Sequence, residues 1–148
     1  MKASGFTLAE LVVVVVIVGI LAVAALPKFF DQSGFDGRGF NDETLAALRY
    51  GQKAAIAQRR TVCVALSTTS VTLTMASAAG SSTCDINLAG PAGGSPFQVT
   101  AKAGIAYSAN PINFSFNATG QPSLGQTLQV SGRPDTITVE PDTGYVHP

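Results

Sequence analysis

The sequence predicts an α+β chain: a long N-terminal hydrophobic helix, interrupted near 31–41, packs by its C-terminal half on an antiparallel β-sheet head. Three observations carry that expectation. Leu11 to Leu26 is sixteen consecutive residues without a polar side chain. A helix-forming segment rich in Ala, Leu, Gln and Arg follows from Asp42 to Arg60. Beyond Thr61 the pattern changes to short β-type runs separated by Gly, Ser, Thr, Asn and Pro.

Phe6 to Leu26 is 21 residues, and at about 1.5 Å per residue a helix of that length spans about 30 Å, the thickness of a bilayer's hydrocarbon core. The segment is therefore expected to cross a membrane once. Ala22-Val23-Ala24 could serve as a secretory cleavage site. The apolar run is long for a secretory signal, however, and it continues past that site to Pro27. Glu10 also argues for another role, since a carboxylate at the bilayer centre costs about 2.5–3.5 kcal/mol on insertion scales, less toward an interface, and calls for a partner. Pro27 removes a backbone donor and allows the helix to bend.

Residues 31–41 read as a Gly-rich break, with Gly34, Gly37 and Gly39 in one stretch. The acids Asp31, Asp36, Asp42 and Glu43 do not follow EF-hand spacing, and no metal is expected there. In the helix over 42–60, Asn41 or Asp42 is a candidate cap, and Leu45, Leu48, Gln52, Ala55 and Ile56 share the face meant for a sheet. Arg49, Lys53 and Arg60 project within roughly 40° of one another and form a basic stripe, open either to acidic subunits or DNA or simply to solvent.

Strands are expected over 62–66, 71–75, 97–100, 105–108, 112–116, 127–130, 136–140 and 145–147, with a hairpin at Ser67–Ser70 and a turn at Pro141–Gly144. Ala76 to Ser95 reads as a long loop. Cys63 and Cys84 permit one intramolecular pairing and match neither a zinc site nor a CxxC motif. A disulfide is expected if the head is exported, two buried thiols otherwise.

Gly5-Phe6-Thr7-Leu8-Ala9-Glu10-Leu11, followed by Val/Ile/Ala-rich sequence to Pro27, resembles the class III leader of type IV pilins and type II secretion pseudopilins. The resemblance implies a pilin-like fold, a leader of residues 1–5, and cleavage between Gly5 and Phe6 by a prepilin peptidase, with methylation of the Phe6 amine. It implies a transmembrane or filament-core helix over 6–30 and a periplasmic head over 42–148. Lys2 would keep the leader in the cytoplasm. Glu10 would pair with a Phe6 amine, its own or a neighbour's, and set axial register. Asp42 to Tyr50, Ala54 to Val62 and the terminal strands Thr136 to Val139 and Thr143 to Val146 are similar to the GspH/FimT family of minor pseudopilins. That likeness implies a minor subunit that initiates or caps a type IV pilus or type II secretion pseudopilus. Its implied partners are major and minor pilins or pseudopilins, the prepilin peptidase and an inner-membrane assembly platform.

Other function classes find less support. The single histidine, His147, sits one residue from the last, and there is no GxSxG, no phosphate loop and no His/Cys cluster, so neither an enzyme nor a cofactor is expected. A DNA-binding minor pilin is an alternative, but from Thr61 onward two basic residues face four acidic ones, a net charge of −2, and DNA binding needs several Lys or Arg contacts to phosphate. A membrane-anchored periplasmic binding module would explain stem and sheet equally, without a need for Glu10.

Overall fold

The structure, a computed structural model, describes residues 7–30 and 32–148. The chain divides into two compact units, one reaching to Gly34 and the other running from Phe35 to Pro148. The first contains helix α1, Leu8–Phe30. Helix α2 spans Gln32–Gln58, and eight strands follow: β1 Val62–Ser67, β2 Ser70–Met75, β3 Ile86–Asn87, β4 Phe97–Thr100, β5 Phe114–Phe116, β6 Gln126–Gln129, β7 Thr136–Val139 and β8 Val146–His147.

The strands make two antiparallel sheets. In the larger, β1 lies between β2 and β5, and the outer edge of β2 is shared end to end. Ser70 to Leu73 pair with β4, and Thr74 and Met75 with β3. The smaller sheet has the order β6-β7-β8. Strict alternation in β2 and β7 puts Val71, Leu73, Met75, Ile137 and Val139 inside, as period-two patterning requires.

One face of α2 lies on this core. Leu48 and Ala55 are fully buried, and a Cβ at Gly51 would sit 3.5 Å from Leu73 Cδ1 and 3.6 Å from Val62 Cγ1, so the helix backbone runs close over β1 and β2. Thr44, fully buried, shares a 2.9 Å hydrogen bond with the Tyr107 hydroxyl. Burial pushes the Tyr107 phenol up to about 12, and the Thr44 hydrogen bond offsets part of that rise.

The expected break at 31–41 is corrected by α2, which is helical from Gln32 onward; Asp31 lies outside the described residues. Tertiary packing explains the difference. Gly37 is buried, with Arg133 Cδ 3.5 Å from where its Cβ would be, and the Phe40 ring packs against Tyr107 in a tilted pair with centroids 5.0 Å apart. Those contacts oppose a helix penalty of about 1 kcal/mol per glycine. At its other end α2 stops at Gln58, two residues short of the expected Arg60, and Arg59 takes the left-handed conformation, φ 51°.

Residues 105–108 form no strand; Tyr107 makes a single bridge to Val130. The expected strand 112–116 is shortened to β5, because Ile112 exchanges its backbone hydrogen bonds with the Gln126 side chain instead of a neighbouring strand. The 76–95 loop contains β3, and its tether is the Cys63–Cys84 disulfide, with Cα atoms 6.0 Å apart. Within that loop Ser77 donates from its amide and hydroxyl to Asp85 at 2.7 and 2.6 Å. The hydroxyl hydrogen bond, then the amide one, holds the Asp85 carboxyl below its usual range.

Two glycines should respond oppositely to alanine. Gly51→Ala fills ordinary van der Waals space in a helix and is expected to stabilise the chain by about 0.5–1 kcal/mol. Gly144→Ala puts a Cβ on the Gly120 carbonyl oxygen at a positive φ and is expected to cost about 2 kcal/mol or more. Denaturant melts of the detergent-solubilised chain measure both.

Candidate functional site

Two surfaces combine exposure with unusual chemistry: α1, and the outward face of α2 with the strand end beside it. On α1, Thr7 caps the helix, its hydroxyl accepting from the Glu10 amide at 3.3 Å and its carbonyl from the Leu11 amide at 3.2 Å. Glu10 thus occupies the third helical position of a Thr-x-x-Glu arrangement, where a carboxylate also favours the positive end of the helix. That spacing was readable in the sequence as a helix start. Gly5 and Phe6 lie outside the described residues.

Eleven large apolar side chains from Leu8 to Leu21 are 48–83% exposed. A helix apolar on every face belongs in lipid or inside other protein, not in water. Side chains of α1 are described as far as Ala22, and among the described residues no helix is long and apolar enough to cross a membrane. The helical backbone continues through Pro27 to Phe30.

The basic stripe is only partly free. Arg49 is half-buried, with its Nε donating to the Val146 carbonyl at 2.9 Å, which ties α2 to β8. Lys53 is exposed and Arg60 half-exposed. Next to Arg49, the Gln52 Nε2 donates at 3.1 Å to both Gly120 and Thr143 carbonyls, fixing two turns against the helix. Arg49, Gln52, Lys53, Tyr145 and Val146 line an open cleft of about 350 Å³.

Tyr145, on the rim of that cleft, stacks on His147 at 5.3 Å. His147 Nε2 lies 2.9 Å from Glu140 Oε1, across the Pro141–Gly144 turn. This pair joins residues seven apart, which only the closed turn brings together. Its hydrogen bond to Glu140, then that to the Pro148 carbonyl, raises the His147 pKa above 6.5.

Among the described residues, the acids Asp36, Asp42 and Glu43 form no cation site. Asp36 is paired with Lys102 at 2.6 Å, and that hydrogen bond and charge raise the Lys102 pKa. Among the described residues no group of three or more His, Cys, Asp or Glu could hold a metal.

Because the folded-state His147 pKa is raised, its contribution is fully present below about pH 6.5 and is lost as pH rises through the folded value. An NMR titration should place the His147 midpoint above that of a free histidine, and Glu140→Gln should lower it. A midpoint unmoved by Glu140→Gln would contradict the pairing.

Residues 1–26 match the family described as the prokaryotic N-terminal methylation motif. The chain is 36% identical over 95 residues to the type IV narrow pilus major component PilA5 of Thermus thermophilus, covering 64% of this chain and 66% of the relative, just under two thirds of its length. Among solved structures, the type IV minor pilin FimU of Pseudomonas aeruginosa shares the fold, with a TM-score of 0.52 at 14% identity over 80% of this chain and 90% of that one.

Proposed function

We propose that this chain, similar to type IV pilins in its N-terminal motif, its sequence relative and its fold, is a structural subunit of a type IV pilus, waiting in the inner membrane and then packed through α1 into the filament. The carrying observation is the exposure of eleven large apolar side chains along α1. In this reading prepilin peptidase cuts between Gly5 and Phe6 on the cytoplasmic side and the new Phe6 amine is methylated. The head stands in the periplasm, an oxidising compartment that suits the Cys63–Cys84 disulfide. An assembly platform then extracts the subunit, and Pro27, which cannot donate its backbone hydrogen bond, lets α1 bend there.

Glu10 sets axial register by pairing with a Phe6 amine. The Thr7 hydroxyl already satisfies the Glu10 backbone amide. No ion pair among the described residues takes up the Glu10 carboxylate, and two opposite charges in an apolar core are tolerable only as a pair.

The role is one of packing, and two positions in a filament suit such a subunit. The stem and terminal-strand likeness to the GspH/FimT family favours a minor subunit that initiates or caps assembly, in a pilus or in a type II secretion pseudopilus. The sequence relative is a major component of a narrow pilus, which favours the shaft. Quantitative mass spectrometry of sheared filaments separates them: a shaft role predicts this chain as the bulk of the filament, a capping role a small fraction of it.

Glu10→Ala is expected to leave the mature chain in the membrane with its normal mass, beginning at methylated Phe6. Its incorporation into filaments is expected to fall about tenfold or more, in line with the several kcal/mol that an unpaired charge costs in an apolar interior. Filaments of normal number and composition with this variant would count against the register role.

A further inference from the structure

The outward face of α2 carries an ordered line of charge. Arg49 and Lys53 follow Asp42 by seven and eleven residues. At 100° per residue these intervals bring all three within about 20° of a single line along the helix, while Arg60 lies beyond the end of α2. Asp42 and Lys53 are exposed, and the three ion pairs among the described residues, Asp36–Lys102, Asp135–Arg133 and Glu140–His147, use none of the three. Along that line the acid precedes the two cations.

Within one helix Asp42 lies about 10 Å from the level of Arg49 and about 16 Å from that of Lys53, too far to pair with either. Two parallel copies slipped along α2 by that amount would bring the Asp42 of one to the cations of the other. The receiving end is a formed cleft. Arg49 is held by the Val146 carbonyl through Nε, which leaves its terminal nitrogens as donors, and Lys53 and the exposed Tyr145 complete the rim. Ala46, exposed between acid and cations, and Ala57, exposed one turn beyond Lys53, allow close approach.

We propose that the Arg49–Lys53–Tyr145 cleft receives the Asp42 carboxylate of a second copy of this chain, so that parallel copies stagger along α2 by about 10–16 Å. The proposal rests on the pilus-subunit reading, in its shaft form. The contact is heterologous: each copy offers an acid at one end and a cationic cleft at the other. A head-to-tail contact of that kind that does not close into a ring grows into a helical filament.

The test uses the full chain in its own filaments. Asp42→Lys and Lys53→Asp are each expected to lower incorporation about tenfold while the mature membrane-held pool stays at its normal level, and the double reversal Asp42→Lys/Lys53→Asp is expected to restore it. A short crosslinker between cysteines placed at 42 and 53 should give a ladder of multimers in filaments and none in the membrane pool. Normal incorporation of both single variants, or a double variant no better than the singles, overturns the pairing. If Lys53→Asp instead leaves assembly intact and abolishes capture of short duplex DNA by filaments, the cleft belongs to nucleic acid. Absence of the wild-type chain from filaments is a separate result, which overturns the pilus reading and this contact with it.

Discussion

A helix that is apolar on every described face has no stable place in water, and the rest of the chain follows from that constraint. At about 1.5–3 kcal/mol for each large apolar side chain moved out of water, the eleven exposed from Leu8 to Leu21 together outweigh the 5–15 kcal/mol net stability of an ordinary domain. No rearrangement of the head could compensate for leaving α1 in water. Such a segment needs an apolar environment, and the proposed pilus role supplies two, lipid before assembly and a bundle of like helices after it. The head must then hold itself together without help from α1. It does so with a core running from Phe40 to Val146 and a disulfide that closes the loop between β1 and β3.

Helix α2 serves two demands that pull its composition in opposite directions. Its inner face needs close backbone approach, which Gly51 supplies over Leu73 and Val62, and Gly37 beneath the Arg133 stem. Its outer face needs charge in a fixed pattern. Gln52 stands between the two, neither core nor surface, and its amide group fastens two turns of the head to the helix. Because those turns carry Thr143 and lead into Tyr145, the cleft beside Arg49 is shaped by the same contacts that fix the end of the fold. The surface of α2 is therefore a consequence of its packing.

Most of the architecture was legible because alternation and helical spacing are local signals. Val62 to Ser67 and Ser70 to Met75 show them directly, and the single possible cysteine pairing needed only an exported head. What escaped depended on contacts distant in sequence. Three glycines in 32–41 signalled a break, while the burial of Gly37 and Phe40 against Arg133 and Tyr107 keeps the segment helical. The β-like composition of 105–108 yields one bridge, Tyr107 to Val130, and beyond it Ile112 bonds to the Gln126 side chain where a strand would bond to backbone. At the candidate site, helical spacing aligned Arg49, Lys53 and Arg60, but only the fold shows that Arg49 is committed to the Val146 carbonyl. Glu140 and His147 meet for the same reason, through a turn whose closure no local pattern reveals.

The two charge contacts proposed for assembly differ in strength because their surroundings differ. A pair of unit charges 4 Å apart is worth about 1 kcal/mol in water and about 4 kcal/mol at an effective dielectric constant of 20. Glu10 sits on a helix whose other side chains from Leu8 to Leu21 are apolar, so in the proposed filament core its pairing with an amine is the stronger term and its loss leaves a charge without solvent. Asp42 stands on a solvated helix face, and its contact with Lys53 falls near the weaker limit and is screened by salt. In the proposed filament a strong buried pair fixes how far one subunit advances past the next, while a weak peripheral one, repeated at every subunit, selects among registers that the apolar helices alone would accept. Affinity then comes from α1, which is indifferent to axial position, and register from charge, which is not.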